Sequence, residues 1–228
     1  MIETYGKKKN YIVIKHVLTK EVCALLANYA HFKASVRPNI KKDVLKNVHR
    51  EYGDCMMEML LEKLKPLIEK ITGLELWPTL SFYYTYQNGN QLPKHKDRSS
   101  CEIVAGLCIG ADEEFNKKNG KWPLILTIDG KAEAIDLDYG DLVIFKGSET
   151  EHWREMFTGT WFVSAIFAYV DKNGPFAFQK FDQRRSLGRP HVGMFNWTYG
   201  CMKNTVSSRF KILKNKILKN KKLSTEEV

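Results

Sequence analysis

The sequence predicts a mostly β domain with flanking helices, an α+β fold in which a β-sandwich or barrel is buttressed by amino-terminal helices. Three observations predict it. Beyond Leu74 the apolar residues fall in six or seven short β-type runs, and helical spacing dominates before that point. Asp129-Gly130 stands between two of those runs, the strongest short hairpin signal in the chain.

In chain order, Tyr11, Ile12, Val13 and Ile14 read as a strand. Thr19 offers a helix cap with Glu21 in the favourable first turn, and Val22, Leu25, Leu26 and Tyr29 follow at helical spacing. A second helix is expected over about 51–72, with Tyr52, Met56, Met59, Leu60, Leu67 and Ile71 on one side and a kink or restart at Pro66. Its methionines read as core filler. Strands are then expected over 76–86, 102–109, 124–128, 132–137, 142–145 and 161–170. The segment 173–202, rich in Pro, Gly and aromatics, reads as a loop-rich extension. Its Phe176, Phe178 and Phe181 are expected to cover the edge of the β structure rather than to line a substrate entrance.

The chain has 228 residues, 43% hydrophobic and 27% charged, values that exclude a disordered, collagen-like or membrane-spanning protein. No apolar run approaches the ~20 residues of a membrane helix, and the basic start lacks a signal peptide's apolar stretch. Five cysteines without a CxxC pair indicate neither a disulfide framework nor a thiolate zinc site. These features predict an intracellular, cytoplasmic protein. The net charge of +10 is uneven: residues 203–228 carry +6 and the other 202 residues only +4. We therefore divide the chain into one domain, 1–202, with its β core at about 70–172, and a basic tail, 203–228. The tail contains Lys211-Ile212-Leu213-Lys214-Asn215 and its repeat at 216–220. Val206, Phe210, Leu213 and Ile217 form a helical stripe there. A packed carboxy-terminal helix accounts for the stripe. A basic arm for nucleic acid, an acidic partner or a membrane surface is the alternative.

One constellation carries chemistry. His95 and Asp97 lie two residues apart, which in an extended segment puts both on one face within reach of one metal. With a distant histidine they would form the two-histidine, one-carboxylate facial triad of non-haem iron(II). His16, His31, His49 and His191 lack such a setting and read as structural or solvated.

The surroundings of this pair resemble a known family. Tyr86-Gln87-Asn88-Gly89-Asn90-Gln91-Leu92-Pro93-Lys94-His95-Lys96-Asp97 resembles the approach to the HxD motif in iron(II)- and 2-oxoglutarate-dependent oxygenases, and most of all in their prolyl 4-hydroxylase-like branch. Ile71-Thr72-Gly73-Leu74 fits the same branch upstream. Gly140-Asp141-Leu142-Val143-Ile144-Phe145 is similar to the turn and strand before the family's second histidine, here His152. The resemblance spans roughly residues 60–170. It implies a double-stranded β-helix (jelly-roll) fold and Fe(II) bound by His95, Asp97 and His152. It also implies 2-oxoglutarate and O2 as co-substrates, and oxidative decarboxylation of 2-oxoglutarate coupled to hydroxylation of a substrate C–H bond. Neutral imidazoles and an ionised carboxylate are required, so metal binding should weaken at acid pH.

One family feature is missing. A basic residue after the second histidine, commonly in Gly-x-Arg, usually pairs with the C5-carboxylate of 2-oxoglutarate, but here the matching stretch is Gly159-Thr160-Trp161. A dianion buried without a cationic partner is expensive, so another group must serve or 2-oxoglutarate does not bind. Arg154 is the candidate, because alternation along a strand puts it on the side of His152 and a guanidinium can meet a carboxylate with two hydrogen bonds. A structural pairing of Arg154 with Glu151, Glu155 or Glu102 is the alternative. Tyr84 and Tyr86, on one face of their strand, could add hydroxyls, though for Tyr84 a core role is the stronger expectation. Arg98 meets substrate at the mouth or is solvated.

The expected function is thus a hydroxylase acting on a peptidyl side chain, prolyl or other, or on a small metabolite. The competing reading is a non-catalytic metal-binding β-barrel protein that has lost 2-oxoglutarate, and Trp161 is its main support. The O/N ligand set by itself also admits Mn(II) or Zn(II).

Overall fold

The computed structural model describes residues 4–5, 10–36 and 48–188. The expected tail, 203–228, and the last part of the extension lie outside the described residues. The strands are β1 (Thr4–Tyr5), β2 (Tyr11–Ile14), β3 (His49–Tyr52), β4 (Leu76–Gln87), β5 (Leu92–His95), β6 (Ile103–Ala111), β7 (Leu124–Ile128), β8 (Lys131–Ile135), β9 (Leu142–Phe145), β10 (His152–Arg154) and β11 (Trp161–Asp171). The helices are α1 (Lys20–Val36), α2 (Cys55–Thr72) and α3 (Glu113–Asn119), with short 3₁₀ segments at Ser99–Cys101 and Ala177–Gln183.

Two antiparallel sheets make up the body. The larger runs β1-β2-β9-β6-β11-β4-β3 and the smaller runs β5-β10-β7-β8. This is the double-stranded β-helix, or jelly-roll, arrangement. Alternation along β11 shows how the layers are built. Val163, Ala165, Phe167 and Tyr169 face the helices together with Leu26, Ala27, Leu61 and Ile68. Phe162 and Ala168 face the other way, with Leu124 and Leu126 of the small sheet. The core is therefore two layers sharing one large sheet, and the inner layer surrounds the site described below.

The hairpin expected at Asp129-Gly130 joins β7 to β8, both turn residues having positive φ (49° and 76°), as a type I′ turn requires. The helices differ in detail from expectation. On α1 the buried residues are Cys23, Leu26, Ala27 and Ala30, whereas Val22 and Leu25 are exposed. Small residues set that face because the helix lies close on β6, where a Cβ at Gly110 would sit 3.5 Å from that of Ala27. On α2 the inward residues are Met57, Leu60, Leu61, Leu64 and Ile68, and Met56 and Met59 face solvent. Helix α2 runs unbroken through Pro66. Pro66 and Glu62 are both exposed, so the Glu62 carbonyl that proline leaves without a donor lies on the water-facing side.

Cys23, Cys55, Cys101 and Cys108 are free thiols. No helix among the described residues is long and apolar enough to cross a membrane.

Candidate metal centre and co-substrate cavity

Three side chains converge where the small sheet meets the inner face of the large one. His95 ends β5 and His152 begins β10, and the two are direct cross-strand partners in the antiparallel ladder. Their rings stand 4.3 Å apart between centroids. Asp97 completes the group, with Oδ1 3.5 Å from His95 Nε2 and Oδ2 3.7 Å from His152 Nε2. One ligand atom from each residue falls within 4.8 Å of the others.

The outer nitrogens make the set chemically suited to a cation. His95 Nδ1 lies 2.7 Å from the Pro93 carbonyl and His152 Nδ1 3.0 Å from the Thr150 carbonyl. Each carbonyl is two residues upstream of its histidine and can only accept. The proton therefore belongs on Nδ1, and both Nε2 lone pairs point at the space Asp97 faces. Two imidazole nitrogens and one carboxylate on one side of that space fit a divalent transition ion with positions left open. Burial lowers the pKa of His152, while the Asp97 carboxylate beside His95 favours its protonated form and raises its pKa.

Asp97 sits beyond the end of β5, not in an extended ladder as its spacing suggested. Its N–H donates to the Gly147 carbonyl at 3.0 Å. A methyl group at Gly147 would lie 2.6 Å from Asp97 Oδ2 and 2.5 Å from Val104 Cγ2. Glycine is thus required for close approach. Gly147→Ala is expected to push the carboxylate aside and weaken Co(II) binding by roughly 10-fold or more, as read by calorimetric titration. Unchanged affinity would show that the Asp97 carboxylate is not held at this spot.

A cavity of about 290 Å³ opens beside the three residues, and Arg154, Tyr84 and Tyr86 line it as well. Arg154 is buried, at 6% exposure. Nη1 donates to the Trp122 carbonyl at 2.5 Å, and the guanidinium packs against the rings of Trp122 and Phe162 at 4.9 and 4.7 Å. The carboxylates considered for it from sequence are engaged elsewhere. Glu151 pairs with Lys94 at 3.0 Å, Glu155 accepts from Trp153 Nε1 at 2.8 Å, and Glu102 accepts from the Asp171 N–H at 2.9 Å. Among the described residues Arg154 has no acidic partner. Desolvation lowers its pKa, and burial pushes the Tyr86 phenol up to about 12, so that hydroxyl keeps its proton. Tyr84 and Tyr86 stack with centroids 5.7 Å apart, and burial raises Tyr84 further still.

Trp161 lies on the opposite face of the large sheet. It packs edge-on to His31 at 4.9 Å with the helix-side core, so it does not enter the cavity. The inward neighbour on β11 is Phe162, on whose ring the Arg154 side chain rests. Arg154, on β10 of the smaller sheet, lines the cavity that Trp161 does not enter.

The sequence reading missed Gly147 and Trp122. A glycine shortly before a candidate ligand was the available signal for the first, and there was none for the loop residue Trp122. Arg98 lines the cavity but is held in a pair with Asp182.

Solved structures of iron(II)/2-oxoglutarate oxygenases share this jelly-roll fold. A prolyl-4-hydroxylase from Pseudomonas putida aligns with a TM-score of 0.57 at 16% identity, over 72% of this chain and 94% of that one. The epimerase SnoN from nogalamycin biosynthesis, described as non-heme and alpha-ketoglutarate dependent, aligns at 0.61 and 13% identity over 82% and 89%. The viral collagen prolyl hydroxylase of Paramecium Bursaria Chlorella virus-1, solved as a 2OG complex, aligns at 0.54 and 14% identity over 72% and 98%. No family model and no curated protein matches the chain.

Proposed function

We propose that the protein is an Fe(II)- and 2-oxoglutarate-dependent dioxygenase that hydroxylates a substrate C–H bond. The observation that carries this reading is a buried arginine, without an acidic partner among the described residues, in the cavity that also holds the triad. An uncompensated buried cation is costly, and a dicarboxylate joining metal to guanidinium would neutralise it.

In this reading His95, Asp97 and His152 hold Fe(II), which when bound supplies the redox chemistry with O2. Arg154 receives the C5-carboxylate of 2-oxoglutarate and Tyr86 donates its phenolic O–H, with Tyr84 beside it. Leu124, Val143 and Phe145 line the cavity and limit water there. The open side faces substrate. A peptidyl side chain, proline among the candidates, fits the prolyl hydroxylases that share the fold, and a small metabolite fits SnoN. The non-catalytic alternative rested on Trp161, whose ring lies on the far face of the sheet.

The test is Fe(II)-dependent formation of succinate from 2-oxoglutarate in air. Turnover without added substrate, abolished in His152→Ala, is the expected result. Equal turnover in that variant would remove His152 from the centre. A protein that neither consumes nor binds 2-oxoglutarate would overturn the proposal.

A further inference from the structure

The turn that carries Asp97 has little regular structure of its own. Strand β5 ends at His95, and the 3₁₀ segment Ser99–Cys101 starts only after Arg98. The Gly147 carbonyl holds it on one side. On the other side Arg98 donates Nη1 to Asp182 Oδ1 at 2.7 Å and Nη2 to Asp182 Oδ2 at 2.6 Å. The Asp182 side chain is 2% exposed and also accepts the Tyr52 hydroxyl at 2.5 Å.

The backbone around Asp182 is unusual. Phe181, Asp182 and Gln183 have φ of 54°, 54° and 59°, three consecutive non-glycine residues in the left-handed region. Asp tolerates that region; for a bulky Phe it is a true outlier. Such conformations are costly and persist only where the surroundings enforce them. The surroundings are dense here. Arg184 pairs with buried Glu58 and donates to the Thr79 carbonyl at 3.0 Å. Gln179 Nε2 donates to Ser99 Oγ at 3.3 Å, and Thr79 Oγ1 donates to the Ser100 carbonyl at 2.6 Å. Segment 177–184 is therefore tied both to β4 and to the turn that follows Asp97.

We propose that Asp182 is a positioning residue for the metal centre: by gripping Arg98 it fixes the turn that presents Asp97, and it keeps the Arg98 guanidinium away from that carboxylate. The proposal rests on the metal-site reading of the triad. An exposed Arg–carboxylate pair contributes little, but this one is two-pronged, has its acid buried, and has a second donor locking the acid's orientation. Without it, Arg98 is free to turn to the adjacent Asp97 and compete with the metal for its oxygens.

The test uses Co(II) alone as the probe, titrated calorimetrically at fixed pH, with its visible absorption bands as a second readout. Asp182→Asn keeps shape and tolerates the left-handed backbone. It is expected to bind Co(II) about 10- to 100-fold more weakly, with altered bands. Arg98→Met, at a half-exposed position, should also weaken binding, and it keeps the test open should Asp182→Asn fold poorly. Glu58→Gln loosens the same segment at its far end, so it should lower the melting temperature while leaving Co(II) affinity within about twofold of the parent. Parent-like affinity in Asp182→Asn and Arg98→Met would overturn the proposal, as would an equal loss in Glu58→Gln, which would reduce Asp182 to general support. Absence of Co(II) binding by the unsubstituted protein would overturn the triad reading itself, and this proposal with it.

Discussion

Arg154→Met is expected to raise the melting temperature of the protein alone and to destroy its response to 2-oxoglutarate. Both effects have one cause. The guanidinium is buried against Trp122 and Phe162 with a single backbone carbonyl as acceptor and no acidic partner among the described residues. Replacing even a paired buried charge by apolar side chains of similar volume is often stabilising by about 1–4 kcal/mol, and Arg154 has no acidic pair among the described residues to lose. A gain of ~2 °C or more is therefore expected in a domain of this size. Losing the two-pronged bond to a carboxylate should cost about 3 kcal/mol of co-substrate affinity, on the order of 100-fold. Thermal melts with Mn(II), with and without 2-oxoglutarate, read both. A variant that melts lower than the parent and still gains stability from 2-oxoglutarate would make Arg154 a packing residue and return the anchor to Tyr84 or Tyr86.

The second large effect is expected at Asp97. Its two oxygens face the two imidazoles separately, at 3.5 and 3.7 Å, and it is the only anion of the three. Asp97→Ala should therefore lower Fe(II) affinity by more than the ~10- to 100-fold typical of losing a supporting group. His95, 38% exposed on its side chain, is the ligand water can best replace, and its alanine variant should retain more metal than Asp97→Ala. Metal content after dialysis against a weak chelator distinguishes the two. Full occupancy in Asp97→Ala would remove the carboxylate from the centre.

The three candidate ligands were picked out by their resemblance to the family rather than by strand alternation, since Asp97 sits beyond the end of β5. An HxD pair after a glycine turn, and a histidine following a Gly-Asp turn and the apolar run 142–145, are the local features that carry that resemblance. What brings His95 beside His152 is the β5–β10 register, which is long-range and became visible only in the fold. Arg154 was legible as a candidate by alternation. Its lack of a partner was not, since it depends on where three glutamates find other donors. The face that Trp161 takes was not legible from matching Gly159-Thr160-Trp161 to Gly-x-Arg: 161, 163 and 165 share the helix-facing side. Strand β3, His49-Arg50-Glu51-Tyr52, is polar throughout and exists through its pairing with β4. The inward face of α1 followed close packing on β6 rather than side-chain hydrophobicity. Asp182 gave no local sign, because its meaning lies in a partner 84 positions away.

Whether the triad and Arg154 serve one ligand is decided by an anaerobic titration. Fe(II) and 2-oxoglutarate are added to purified protein, and the visible metal-to-ligand charge-transfer band is recorded beside His95→Ala and Arg154→Met. The expected result is a band in the parent that is weakened or lost in His95→Ala. In Arg154→Met it should appear only at far higher 2-oxoglutarate. Iron bound by the parent without any such band would contradict it, and so would a band of equal strength at equal 2-oxoglutarate in Arg154→Met.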